Sequence, residues 1–204
     1  MSAGATGHLP TSAHTIGPFF PQTFFRPGDN DLTRMTAEAA TTTRGERIVL
    51  RGCLRREGGL PCVNAILEVW QADAAGRFRH PADPEAELAD PEFLGWGRAW
   101  TDADGHYEFR TVLPGGFAEG NRRRAPHIDV WVMASGLMRQ LATTVYFADF
   151  AAENAADPVL ALVPPERRAR LVAVADGEAE GMRVFRFDLL LRGAPEAETP
   201  FFVE

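Results

Sequence analysis

The segment RRRAPHIDVWVM, Arg122 to Met133, places His127 two residues before Asp129. In an extended strand successive side chains alternate faces. These two therefore point one way, while Ile128, Val130 and Val132 point the other. An imidazole and a carboxylate on one strand face are two of the three donors of a 2-His-1-carboxylate Fe(II) site. Such a site takes its second histidine from a strand well downstream. No histidine follows His127; His8, His14, His80 and His106 all precede it. The triad is therefore disfavoured, and the segment must be weighed with the elements that position it.

The 204 residues suit one large domain or two small ones. A hydrophobic content of 45% with 24% charged residues fits a globular chain. The net charge of −7 and a pI near 5.3 exclude nucleic acid and anionic membranes as natural partners. No apolar run approaches the ~18 residues that a membrane helix needs. The opening MSAGATGHLPTSAH has neither a basic nor an apolar region of a secretory signal. Cys53 and Cys62 are too few for a disulfide framework and read as reduced, mostly buried thiols. These features together predict a cytoplasmic protein.

Residues 1–45 are rich in Pro, Gly and Thr and carry the aromatic cluster GPFFPQTFFRPG, Gly17 to Gly28. The cluster has neither helical nor strand period, so it reads as an extended arm whose four phenylalanines need covering. From residue 46 short strands begin. ERIVLRGCLR and NAILEVWQAD read as strands. WGRAWTDADGHYEFRTVLPGG, Trp96 to Gly116, reads as a β-hairpin with Asp104-Gly105 as a type I′ turn. APHIDVWVMASG and RQLATTVYFAD give two more strands. PPERRARLVAVA, Pro164 to Ala175, opens on prolines and predicts a short helix. In MRVFRFDLLLRG, Phe185, Phe187, Leu189 and Leu191 share one face of a final strand. The pattern predicts an all-β fold. It is a single β-sandwich of mostly antiparallel strands over residues 46–204, with the extended N-terminal arm and one or two short helices.

Three stretches taken in order, LEVWQADAAGRFRHPAD, GRAWTDADGHYEFRTVLPGG and RAPHIDVWV, resemble the intradiol ring-cleavage dioxygenases. TIGPFF, LATTVYF and the terminal FFVE extend the likeness. Catalytic members of that family hold Fe(III) with two tyrosines and two histidines, the phenolates neutralising much of a hard ferric charge. The resemblance places those four ligands at Phe78, Phe117, His127 and Asp129. Three of the four lack a donor of the family's kind, so these are degenerate metal-site positions. The only tyrosines, Tyr107 and Tyr146, fall inside strand patterns. The expectation is no metal and no catalytic residue on this chain.

Heteromeric members of the family pair an iron-free alpha-type chain with a beta-type chain of the same fold. The resemblance is to the alpha type. It implies a beta-type catalytic partner that keeps the Fe(III) and cleaves a small catechol acid with O₂. This chain would complete the partner's pocket with Thr15, Gly17 and Pro18, while Phe19 and Phe20 pack against the partner. Ser135 stands where alpha-type chains commonly carry an arginine, and Arg139 is the expected substitute. His127 is then expected to be hydrogen-bonded locally, with Asp129 a candidate partner, and Arg124 to be solvated or at an interface. Two rival readings are a stand-alone binding module on the same sandwich and an enzyme with another metal at His127 and Asp129.

Overall fold

The computed structural model describes residues 25–202. Among these, β-branched and aromatic runs with period-two burial give eleven strands. They are β1 (Arg47–Arg55), β2 (Ile66–Trp70), β3 (Trp96–Trp100), β4 (His106–Val112), β5 (Phe117–Glu119), β6 (Arg122–Arg124), β7 (His127–Met133), β8 (Leu141–Phe147), β9 (Val172–Ala179), β10 (Met182–Arg186) and β11 (Leu189–Leu190). Two short helices, α1 (Ala151–Ala156) and α2 (Pro165–Arg168), lie between β8 and β9.

The strands make an all-β sandwich. One layer is β3-β2-β7-β8, all antiparallel. In the other, β1 runs antiparallel to β4 and parallel to both β10 and β11, and β9 pairs antiparallel with β10. A two-residue parallel contact of β8 with β9, Tyr146 with Val172 and Phe147 with Ala173, joins the layers. β5 and β6 form a separate hairpin. Leu50, Leu54, Phe109 and Phe185 meet Leu67, Val69, Ile128, Val130 and Val145 in one core, each at most 2% exposed. Ile128, Val130 and Val132 face that core, which turns His127 and Asp129 to the outer face of the sheet. There a second cluster of Ala125, Tyr146, Leu160, Val163 and Leu171 covers the start of β7. Cys53 and Cys62 are buried free thiols.

The sequence and the structure part at three elements. The single final strand expected in MRVFRFDLLLRG is split, with β10 ending at Arg186 and β11 taking only Leu189–Leu190. Residues 96–116 are not a paired hairpin: β3 pairs with β2 and β4 with β1, in opposite layers. The link is a turn closed by the Gly105 N–H on the Asp102 carbonyl at 3.1 Å. Gly105 alone carries the positive φ, +79°, so the turn is not type I′, which needs two such residues. A Cβ there would stand 2.6 Å from the Leu54 carbonyl oxygen, which is why glycine sits there. The 164–175 segment is one α-helical turn and one 3₁₀ turn (Ala169–Leu171), and the chain is already in β9 at Val172. The alternating Val-Ala-Val-Ala run satisfies a strand once β10 is beside it.

Residues 29–32 fasten the two layers. The Arg98 N–H on β3 reaches the Asp29 carbonyl, Leu32 donates to Arg110 on β4, and Arg110 donates to Asn30. Leu32 is fully buried in the main core.

Candidate functional site

The loop after β2 is held by a buried carboxylate. Asp73 accepts the N–H groups of Ala75 and Arg77 on one oxygen and that of Asp90 on the other, at 2.8–3.0 Å. This delivers Phe78, whose own N–H goes to Asp83. On the facing side Phe117 stands on β5 opposite Arg124 of β6. Gly76 and Gly116 let the two loops touch: a Cβ on Gly76 would lie 2.4 Å from the Gly116 carbonyl oxygen. The result is a chain of rings. Trp70 stacks on Phe78 at 5.9 Å, Phe117 stands edge-on to Phe78 at 4.9 Å, His127 follows Phe117 at 5.4 Å, and Tyr146 follows His127 at 5.8 Å. Phe78, Phe117, His127 and Asp129, scattered over some fifty residues, thus share one locale.

His127 is 4% exposed, and its Nδ1 lies 2.6 Å from the Ala125 carbonyl oxygen. A carbonyl can only accept, so Nδ1 carries the proton and Nε2 presents a lone pair in the neutral ring. Nε2 lies 3.8 Å from Asp129. The local hydrogen bond is therefore to Ala125, while Asp129 takes the Thr144 hydroxyl at 2.8 Å. Burial pushes the His127 pKa down and the Arg124 charge acts the same way, against the pull of Asp129.

Beneath His127 lies a buried polar knot that the sequence did not announce. Asp157, with no exposed surface, accepts from Arg124 Nε, the Ala125 N–H and the Tyr146 hydroxyl at 2.8–3.0 Å. It also takes the N–H groups of Val159 and Leu160. Arg124 is thus not solvated: it is 8% exposed, because the β5–β6 hairpin turns it inward onto this carboxylate. Burial and the Asp157 charge hold the Tyr146 phenol far above its usual pKa, so it stays a donor. Burial works to raise the Asp157 carboxyl, but the hydrogen bonds it accepts outweigh that and lower it.

The donor set does not fit a ferric centre of two phenolates and two imidazoles. Phe78 and Phe117 present ring carbons, Tyr146 is committed to Asp157, and His127 Nε2 with Asp129 leaves two donors. One cluster of three donors among the described residues lies elsewhere: Asp102 and Asp104 on the turn before β4 and His106 at its first position, all exposed. One Asp102 oxygen there takes the N–H groups of Asp104 and His106.

The structure does not bring the other expected residues to His127. Ser135 and Arg139 are exposed in the β7–β8 loop, at the opposite end of β7. At ~3.3 Å per residue the seven residues of β7 span about 20 Å. Thr15, Gly17, Pro18, Phe19 and Phe20 lie outside the described residues. Asp73 and Asp157 are the positioning residues missed, while Arg124 was singled out but expected in solvent or at an interface. Of the two missed, only Asp73 carried a signal, the WQAD run that leads out of β2.

A family model described as Dioxygenase matches residues 16–193. The chain is 40% identical over 201 residues to the protocatechuate 3,4-dioxygenase alpha chain of Burkholderia cepacia, covering 94% of this chain and 96% of that one. It is 38% identical over 176 residues to the beta chain from the same organism, covering 82% and 73%. The solved dioxygenase domain of a dioxygenase–carbohydrate-binding fusion from Streptomyces sp. SirexAA-E superposes with a TM-score of 0.56 at 25% identity, covering 91% of this chain and 99% of that one. With a match running through every strand of the sandwich, the chain belongs to the dioxygenase family.

Proposed function

We propose that this chain is the alpha-type, non-iron-holding subunit of a protocatechuate 3,4-dioxygenase. It completes the active site of a ferric beta-type partner that cleaves protocatechuate with O₂ to 3-carboxy-cis,cis-muconate in the cytoplasm. Identity alone separates the two chain types poorly, at 40% and 38%. The observation that carries the reading is the set of side chains at the four ligand positions: two phenylalanines, one histidine and one aspartate already bonded to Thr144. The Fe(III) of the partner supplies the redox chemistry. This chain's part is to shape the pocket and exclude water.

Two groups of residues support that part. The Thr15 hydroxyl, the close approach allowed at Gly17 and the fixed backbone of Pro18 suit one end of a ring-acid pocket. Arg139, exposed and without an ion pair among the described residues, is a cation available to the substrate carboxylate, with Ser135 exposed in the same loop. No helix among the described residues is long and apolar enough to cross a membrane.

The test is to purify the chain alone and co-expressed with a beta-type partner, measuring iron, visible absorption and ring cleavage. The chain alone should be colourless with no stoichiometric iron, and the complex coloured and active. A coloured, iron-loaded preparation of this chain alone overturns the assignment.

A further inference from the structure

All four tryptophans of the chain stand on the outer face of one sheet. β7 turns His127 and Asp129 to that side, and by alternation Trp131 and Met133 share it. Cross-strand register extends the face over β2 and β3. Glu68 lies opposite Trp131 and Trp70 opposite Asp129, while Trp96, Arg98 and Trp100 lie opposite Trp70, Glu68 and Ile66. The charged members are already engaged: Arg98 pairs with Glu68, and Asp129 takes the Thr144 hydroxyl. What the face offers is therefore aromatic and apolar surface, and Trp100 at its corner is 49% exposed. We infer that residues 19–24 of this chain lie extended across it, with Phe19 and Phe25 turned to the sheet and Phe20 and Phe24 turned away.

The point of entry, the reach and the chemistry all select this occupant. The described chain begins on the face itself, where the Phe25 ring meets Trp100 with centroids 4.6 Å apart. The turn behind Phe25, closed by the Asp29 N–H on the Arg26 carbonyl at 3.1 Å, holds it there. From Phe25 back to Phe19, six extended steps cover about 20 Å, and four strands are on the order of 14 Å across. The segment can thus span the sheet. From Thr15 to Phe25 it carries no charged residue, and Pro21 keeps Phe20 out of the helical region.

Alternation then assigns the sides. With Phe25 down on Trp100, Thr23, Pro21 and Phe19 follow it toward the sheet, and Phe20 and Phe24 point outward. Phenylalanine laid on a tryptophan-rich face gains the ring contacts that aromatic pairs prefer and removes an exposed apolar patch. Thr15, Gly17 and Pro18 are left beyond the segment that crosses the sheet. The docking needs neither a partner chain nor iron, so it can fail while the subunit reading stands.

The full chain alone, labelled with 5-fluorotryptophan, gives four fluorine resonances, which single Trp→Phe variants assign. A soluble gadolinium chelate broadens those that solvent reaches. Removing residues 1–24 should cost Trp96, Trp100 and Trp131 their protection. Trp70, on which Phe78 already stacks, should be unchanged and so report that the sandwich is intact. Phe19→Ser should reproduce the loss of protection, and Phe20→Ser should not. Equal broadening in the full and the shortened chain overturns the docking, as does a Phe20→Ser response that matches that of Phe19→Ser. Protection that disappears on dilution would assign the face to a second copy of the chain and overturns it equally.

Discussion

His127 shows how burial can set the charge of a residue whose neighbours would otherwise leave it undecided. Its folded pKa lies below the ordinary value near 6.5, from burial first and the Arg124 charge second. The unfolded chain therefore binds more protons than the folded one as pH falls below about 6.5, and stability falls with it. The contribution is complete above that value. Asp157, also lowered, acts beneath the ordinary carboxylate range and stays out of this window. We expect the urea midpoint to drop between pH 7.5 and 5.5, and to drop less in His127→Gln. Equal drops in the two proteins would remove His127 as the cause. The sequence told which face His127 and Asp129 share, because strand alternation is local. It could not tell that Arg124 is buried: the partner, Asp157, is 33 residues away, and a run of three arginines looks solvated until the hairpin orients it.

At the scale of elements, Asp157 ties β6, β8 and the turn after α1 to one side chain. Asp157→Asn replaces an acceptor oxygen with a donor and strands the Arg124 charge in the interior. Such a loss costs roughly 3–5 kcal/mol, toward the lower end here because Glu119 lies 3.5 Å from Arg124. Chemical denaturation should show that loss with an unchanged slope; a loss under about 1 kcal/mol would mean the knot is slack. Strands whose signal is periodicity, such as β1, β7 and β8, were legible. The 96–116 segment was not, since an Asp-Gly pair reports a turn but not which sheet each arm will join. The helix expected over 164–175 failed for a related reason. Its apolar spacing served two periods, and pairing with β10 decided between them.

For the whole molecule, an all-β sandwich could be read from strand count and turn spacing, but the parallel pairing of β1 with β10 could not, because nothing local records it. The same limit applies to the arm. Phe25 packs on Trp100 with ring centroids 4.6 Å apart, and Leu32 is buried, so the segment before β1 is anchored from residue 25 onward. Deleting residues 1–28 keeps Leu32 but removes the aromatic cluster. We expect this to weaken association with the beta-type partner in gel filtration. Thr15→Ala keeps every phenylalanine, so it should leave the complex intact and change KM or kcat for ring cleavage. A deletion that alters neither assembly nor kinetics would deprive the arm of both proposed roles.

The parallel register of β1 also fixes a waiting time during synthesis. Ile48 pairs with Arg183, so a strand made early must hold an open edge until some 135 further residues have been added. At roughly 5–20 residues per second that is on the order of 7–27 s. β4, finished at Val112, closes one side of β1 much sooner. The other edge of the same residues, Ile48-Val49-Leu50 among them, stays unpaired while the ribosome works through β5 to β9. An unpaired apolar strand edge is a template for association with another chain. The nascent polypeptide is thus exposed to chaperone binding, or to aggregation, from the emergence of β1 until that of β10, with one edge of β1 still open after β4 has docked.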